Sequence, residues 1–194
     1  MVRNAGSGVA GRGFVEPMMA TLVDKPPEGP EWLHEIKYDG YRTQIVIAGK
    51  SARAFTRRGL DWTKKYNRII EAARELGHDC HLEGEMIVQD ANGRPDFNAL
   101  RSDIESGAGG RLILYTFDLL SLDGQDLRAK PCEERRALLS DLLGSPLPSY
   151  PIHSVRRMAG QARSSSRLSS GWTWRGWSRK SKPARTGAAT PRPG

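Results

Sequence analysis

The chain has 194 residues, an apolar content of 38% and a formal net charge of +8. That length allows one domain with a real core. No apolar run suits a signal peptide or a bilayer span, and the two cysteines, Cys80 and Cys132, form no disulfide framework or metal-binding pattern. The sequence therefore predicts a cytoplasmic protein in a reducing compartment.

The positive charge is confined to the C-terminal end. Residues 154–194 contain eight arginines, two lysines and no acidic residue, whereas residues 1–153 contain 20 basic and 22 acidic side chains. We therefore expect a disordered N-terminus over residues 1–13, a folded domain over residues 14–153, and a basic, disordered tail over residues 154–194.

The first predicted elements are strands and one helix. Alternating apolar residues predict strands over residues 32–37, 41–48 and 52–56, with Gln44 as a polar break in the second strand. A helix capped by Asp61 or Thr63 is predicted to run to about Leu76.

The second half of the domain repeats this alternation. A strand over residues 81–89 is followed by a turn and by a helix from about Asp96, with Phe97 and Leu100 facing inward. Residues 111–122 form the most apolar run and predict a buried strand, and residues 131–143 predict a helix. Hairpins with helices between them indicate an α+β domain of antiparallel sheets rather than a doubly wound parallel sheet.

The candidate nucleophile is Lys37, in the stretch Lys37-Tyr38-Asp39-Gly40-Tyr41-Arg42. A lysine just before an Asp-Gly turn, followed by an arginine, places an amine and a guanidinium where the chain doubles back, which suits attack on a phosphate. Alone the pattern is weak, since Asp-Gly is above all a hairpin turn.

Further candidates follow along the chain. Arg57 and Arg58 lie in FTRRGLDWT, Glu83 and Glu85 lie in HLEGEMIV, Phe117 lies in the buried run, and Glu35 lies just before the lysine. Each also has an ordinary structural interpretation: solvated turn arginines, exposed strand carboxylates and a core phenylalanine.

Together and in this order, these motifs resemble those of ATP-dependent DNA ligases, and in particular the ligase module of bacterial ligase D proteins. The resemblance covers residues 14–153 and includes the sequence on either side of each motif. The matching segments are FVEPMMATLVDKPPEGPEWLHEIKYDGYR, FTRRGLDWT, LEGEMIVQDANGRPDFNAL and YTFDLLSLDGQDLR. It implies a nucleotidyltransferase (ATP-grasp-like) adenylation domain in which antiparallel sheets are flanked by helices.

The resemblance also implies a role for each candidate. Lys37 is the catalytic residue that becomes adenylated, with ATP and Mg²⁺ as cofactors. The expected nucleotide contacts are Glu35 beside the base, Arg42 and Arg57 on ribose and phosphate, Glu85 on ribose and metal, and Phe117 stacked on adenine. AMP then passes to the 5′-phosphate of a nick, which the 3′-hydroxyl seals.

Residues 154–194 depart from that family. They lack an EGxxxK motif, the later pair of lysines and an OB-fold. A reading shifted by one frame over Gly171 to Lys180 is compatible with Leu-Asp-Val-Glu-Gly-Leu-Val-Ser-Lys, so we hypothesise that the tail is a frameshifted translation of a truncated domain. The expected consequence is weak or absent self-adenylation and no nick sealing.

Two alternatives remain open at this point. RNA ligases and capping guanylyltransferases also use a KxDG lysine, and a noncatalytic DNA-binding relic could use the Arg/Trp-rich tail. The family resemblance favours a monomer that acts on nicked or broken double-stranded DNA in repair and recombination, near the bacterial nucleoid, with the end-bridging Ku protein as a partner.

Overall fold

A six-stranded sheet forms the centre of the computed structural model, which describes residues 13–19, 35 and 37–155. The strand order is β2-β1-β3-β4-β5, with β6 also paired to β4. The strands are β1 (Tyr41–Ala48), β2 (Ser51–Thr56), β3 (Cys80–Ile87), β4 (Ile113–Leu122), β5 (Gln125–Asp126) and β6 (Ile152–Ser154).

Three α-helices of the described residues flank this sheet. They are α1 (Asn67–Glu75), α2 (Phe97–Ser106) and α3 (Cys132–Leu143). Only α2 begins with a side-chain cap; α1 begins after Tyr66 without one, so the cap predicted at Asp61 or Thr63 is wrong. Asp96 caps α2 by accepting a hydrogen bond from the backbone N–H of Ala99 at 2.9 Å. Pro131 directly precedes α3, where its missing N–H costs no helical hydrogen bond.

The two faces of the sheet differ because strand side chains alternate. Ile45, Leu82 and Leu114 point into an apolar core that also receives residues of all three helices. Arg42 and Gln44 on β1 have the opposite parity, as do acidic residues on β3, so polar groups collect on the other face.

Residues 13–17 lie against the polar face. Phe14 packs on Phe55 with ring centroids 6.2 Å apart, and Val15 exchanges two hydrogen bonds with the Gln44 side chain. Pro17 is buried. This segment therefore covers part of the face that carries Arg42.

The predicted α+β class is confirmed, with three corrections of detail. The β4–β6 pair is parallel, because α3 forms part of a crossover that returns the chain along β4 in the same direction. The first predicted helix is a 3-10 turn over Thr63–Lys65 followed by α1. Phe97, which was predicted to face inward, is 40% exposed and contacts the ring of Tyr41 edge to face.

Several expectations fall outside the described residues. These are the disorder predicted for residues 1–12, most of the first predicted strand, and the basic tail from residue 156, including its proposed frameshift. Within the described part of the chain, the sheet extends past residue 153 through β6, and Val155 is buried. No helix there is long and apolar enough to cross a membrane.

Candidate functional site

The loop before β1 presents Lys37 to solvent and is pressed closely onto β3. Lys37 is exposed. A Cβ on Gly40 would lie only 2.1 Å from the backbone oxygen of Met86, so only glycine permits this approach. Gly40 thus permits the lysine loop to lie directly against the neighbouring strand.

Glu85 lies beside this loop, and nearby charges affect its pKa. Burial raises the pKa of Glu85 to about 7, although the charges of Lys37 and Arg42 and a hydrogen bond from the Gly40 backbone act in the opposite direction. The main chains of Arg42 and Glu85 are also direct partners in the β1–β3 ladder. Lys37, Arg42 and Glu85 therefore share one end of the sheet.

Arg42 is held in place by Glu83 and covers Phe117. Its Nε donates a hydrogen bond of 2.9 Å to Oε1 of Glu83, and its guanidinium carbon lies 5.4 Å from the centre of the Phe117 ring. Because Glu83 engages Nε, the two Nη nitrogens are the ones that remain for an anionic ligand.

A buried polar network connects this arginine to the N-terminal segment. The Gln44 side chain donates to the Val15 carbonyl at 2.7 Å and to Glu83 at 3.3 Å, and its oxygen accepts from the Val15 N–H at 3.1 Å. His81 Nε2 lies 3.0 Å from the same Gln44 oxygen. Burial, together with the charge of Arg128, lowers the pKa of His81 to about 4, so the ring is neutral at pH 7 and its Nε2 donates.

A row of aromatic rings supports the lysine loop from another side. Tyr38 stacks on Tyr115 with centroids 4.1 Å apart, and Tyr115 lies 5.6 Å from the ring of His153. Tyr115 is the main-chain partner of Glu85 across β3 and β4. The stack thus anchors the residue next to Lys37 on the polar face of the sheet.

The predicted site residues differ in how firmly the structure connects them. Lys37, Arg42, Glu85 and Phe117 come together, and Glu35 is tied to the same region through an ion pair with Arg136. Arg57 is exposed in the turn after β2. It lies at the same end of the sheet because Thr43 pairs with Thr56, but no recorded contact of the described residues joins it to the others.

Sequence reasoning missed the residues that orient this group. Gln44 left a signal, since it interrupts an apolar strand, but its partners could not be deduced from that. Arg136 left none, because it looked like one more charged residue on a helix.

The described residues supply only part of a coordination sphere for a divalent cation at this site. Among the described residues, no cluster of three or more His, Cys, Asp or Glu side chains could hold a metal. Mg²⁺ often uses one or two carboxylates together with water and substrate phosphates, so a single Glu85 carboxylate beside the lysine fits that mode.

A lysine loop at one end of a sheet flanked by helices, next to arginine, glutamate and phenylalanine, defines a nucleotidyltransferase-type adenylation domain. The sequence profile of the family described as "ATP dependent DNA ligase domain" matches residues 17–163, and the chain belongs to that family.

Similar proteins include several whose names describe DNA ligases. The chain is 43% identical over 131 residues to the multifunctional non-homologous end joining protein LigD of Pseudomonas aeruginosa, covering 67% of this chain and 16% of that protein. It is 30% identical over 130 residues to the prophage-derived DNA ligase-like protein LigB of Bacillus subtilis, covering 66% of this chain and 47% of that protein. The chain therefore spans less than half of either relative.

A solved structure supports the same fold. Mycobacterial DNA ligase D complexed with ATP and MES superimposes with a TM-score of 0.59 and 30% sequence identity, over 67% of this chain and 41% of that one. The predicted nucleotidyltransferase fold and the predicted family are thereby confirmed.

Proposed function

We propose that this chain carries out the self-adenylation step of an ATP-dependent DNA ligase, with Lys37 as the nucleophile. The observation that carries the proposal is the position of Lys37. It is exposed, on a loop that Gly40 seats against β3, next to Glu85 and Arg42. Family membership and the resemblance to an ATP-bound ligase D support the choice of nucleotide.

The remaining site residues would hold the nucleotide. We assign Phe117 to stacking on the adenine and Glu35 to a contact with the edge of the base. Arg42 and Arg57 would contact ribose and phosphate oxygens, and the Nη nitrogens of Arg42, which the bond to Glu83 leaves unengaged, suit that role. Glu85 would contact the ribose and Mg²⁺, and the ion would neutralise charge on the phosphates.

The chemical step is a phosphoryl transfer to nitrogen. The lone pair of the neutral Lys37 amine attacks the α-phosphorus of ATP, the bond to the β-phosphate oxygen breaks, and pyrophosphate leaves with its electrons. The amine gives up a proton to solvent, and the product is a phosphoramidate between Lys37 and AMP. Arg42 stabilises the negative charge on the transferring group.

The second half of the proposal concerns DNA. In the DNA ligase family the AMP would pass from the lysine to the 5′-phosphate of a nick or break in double-stranded DNA, and the 3′-hydroxyl would displace it. For this chain, whose residues 154–194 carry no EGxxxK motif, we expect self-adenylation without sealing of the nick. The name of the Pseudomonas relative refers to non-homologous end joining, which supports a role in DNA repair and makes Ku a candidate partner.

The test is covalent labelling of the purified chain with α-³²P-ATP and Mg²⁺. We expect weak label on Lys37, because residues 154–194 carry no EGxxxK motif, and we expect that label to be lost in Lys37→Arg, because a guanidinium stays protonated and is not a nucleophile. Lys50→Arg, in the exposed turn between β1 and β2, is the matched control and should label normally.

The outcomes separate the parts of the proposal. Label that persists in Lys37→Arg would contradict the assignment of the nucleophile. Labelling from GTP in preference to ATP, or transfer to nicked RNA and not to nicked DNA, would point to a capping enzyme or an RNA ligase. Labelled protein that transfers AMP to no nick would restrict the function of the chain to self-adenylation.

A further inference from the structure

Helix α3 carries two adjacent buried arginines with different partners. Arg135 and Arg136 each have a relative exposure of only 7%. Arg135 forms a two-pronged ion pair with Asp118, with distances of 2.8 and 2.9 Å. That pair fastens α3 to β4 and involves none of the proposed nucleotide contacts.

Arg136 instead joins three separate parts of the chain. Its Nη1 donates to the Phe117 carbonyl at 2.8 Å. Its Nη2 donates to the Val155 carbonyl at 2.8 Å and lies 2.9 Å from Oε1 of Glu35. One planar guanidinium therefore fixes the carboxylate of Glu35 relative to the main chain of Phe117.

Glu35 and Phe117, which Arg136 joins in this way, are the residues assigned to the edge and to the face of the base, respectively. The Glu35 side chain is 22% exposed, so its carboxylate can still meet a ligand while Arg136, with a side-chain exposure of 5%, stays buried behind it. A carboxylate is a hydrogen-bond acceptor only, so it suits the 6-amino group of adenine and opposes the 6-oxo group of hypoxanthine or guanine.

We propose that Arg136 is a positioning residue that sets the selectivity of the site for 6-aminopurine nucleotides, by holding Glu35 at a fixed place beside Phe117. This inference rests on the proposed function, since it uses the nucleotide contacts assigned there. Lysine cannot replace this arginine, because a single ammonium group lacks the rigid fork that reaches three oxygens at once.

The experiment compares ATP with inosine triphosphate, which differs at the 6-position of the base. The rate of covalent nucleotide transfer to Lys37 is measured with both nucleotides for the unmodified chain, Arg136→Lys, Glu35→Gln and the control Arg135→Lys. Thermal unfolding is measured for all four. Arg135→Lys is a matched control because it also disturbs a buried arginine of α3, on the other ion pair.

We expect Arg136→Lys to raise the ATP concentration that gives half-maximal labelling. We expect it to lower the ATP-to-ITP ratio of labelling efficiency, the labelling rate constant divided by that concentration, by about tenfold, the scale of one charged hydrogen bond. The maximal rate constant of labelling should change less. Glu35→Gln should reduce the ratio similarly. A variant with both Arg136→Lys and Glu35→Gln should reduce it little further, since each change removes the same interaction. Arg135→Lys should lower the unfolding temperature without changing the ratio.

An unchanged ATP-to-ITP ratio in Arg136→Lys, with only a lower unfolding temperature, would overturn the inference. If that variant does not fold, Glu35→Gln decides, and an unchanged ratio there has the same meaning. If the unmodified chain binds ATP in calorimetry but forms no lysyl-AMP, self-adenylation fails as the proposed function, and the ratio of dissociation constants decides the role of Arg136. If it binds neither nucleotide, both proposals fail.

Discussion

The Nε of Arg42 lies 2.9 Å from Oε1 of Glu83, a carboxylate that is only 4% exposed. The same oxygen accepts a weaker bond from Gln44, so the arginine side chain is anchored from beneath the site. A buried anion that fixes Nε restricts the orientation of the guanidinium, which would preorganise Arg42 for the phosphate contact proposed for it.

Replacing Glu83 with glutamine should therefore impair the function of the site, although the two side chains have almost the same size. Glu83→Gln keeps the shape but removes the negative charge, so Arg42 loses its charged partner. We expect labelling of Lys37 by ATP to slow by about tenfold or more, and the free energy of unfolding to fall by about 1–3 kcal/mol.

The control for this variant is Glu105→Gln, which breaks an ion pair with Arg101 on the exposed surface of α2. Exposed pairs of this kind contribute little to stability. We expect neither labelling nor unfolding temperature to change. Equal behaviour of the two variants would show that the Arg42–Glu83 pair does not organise the site.

Gln44 should couple the N-terminal segment to the same arginine. Gln44→Leu leaves the Val15 N–H, the Val15 carbonyl and His81 without their partner. Because buried polar groups without partners cost about 1–3 kcal/mol each, we expect a clear loss of stability. Hydrogen exchange at the Val15 amide should accelerate, and labelling of Lys37 should slow.

Gln125→Leu is the corresponding control, because Gln125 is exposed on the short strand β5. It should leave the exchange of the Val15 amide unchanged. Protection of that amide in Gln44→Leu as strong as in the unmodified chain would rule out the proposed coupling.

Local chemistry made part of this site predictable. The turn expected at Asp39-Gly40 is not formed, since residues 37–40 contain only a bend before β1. The roles of Lys37, Arg42 and Glu85 came from the resemblance to DNA ligases, and the β1–β3 pairing that sets Arg42 opposite Glu85 was not predicted. The strands β1 and β3 themselves follow from the alternation of apolar residues. These predictions depend on neighbours in sequence or on strand parity, which short patterns record.

The orienting contacts were not predictable in the same way. Arg136 meets Glu35 across about a hundred positions of the chain, and Gln44 meets Val15 across 29. No local pattern records such distant partners. Phe97 was predicted to face inward because large apolar residues of a helix usually do, yet it is 40% exposed and meets the Tyr41 ring edge to face.

The pKa of Glu85 predicts a pH dependence of activity. Burial raises this pKa from 4.5 to about 7, and a carboxyl group binds Mg²⁺ only after losing its proton. We expect the rate of self-adenylation to fall as the pH decreases below about 7, and the concentration of Mg²⁺ needed to rise. Glu85→Gln should be slow at every pH and should lose this inflection.

The raised pKa of Glu85 affects the stability of the fold in the opposite direction to activity: activity is expected to rise with pH, whereas this contribution to the free energy of unfolding falls. A carboxyl group with a higher pKa in the folded state contributes stability that is fully present below pH 4.5 and is lost as the pH rises through about 7. His81, with its pKa lowered to about 4, contributes the reverse slope in the same window. The comparison of Glu85→Gln with the unmodified chain isolates the glutamate, and the variant should gain relative stability as the pH rises from 5 to 8. A difference that does not vary with pH would contradict the raised pKa.

Gly40 should be essential for a steric reason that is independent of any ligand. The Cβ of Gly40→Ala would lie 2.1 Å from the Met86 oxygen and 2.8 Å from a methyl group of Ile87, so the loop has to lift away from β3. Backbone shifts of this kind cost about 1–3 kcal/mol, and they move Lys37 relative to Glu85 and Arg42. We expect labelling by ATP to fall by about 100-fold or more, because reacting groups displaced by about 1 Å lose that much rate.

The control for this prediction is Gly110→Ala, because a Cβ there meets only the Ala108 oxygen at 3.8 Å. It should leave both labelling and unfolding temperature close to those of the unmodified chain. Normal labelling in Gly40→Ala would show that the loop tolerates displacement from β3. The close approach would then reflect strand packing and not placement of the nucleophile, and the glycine of the motif would need another explanation.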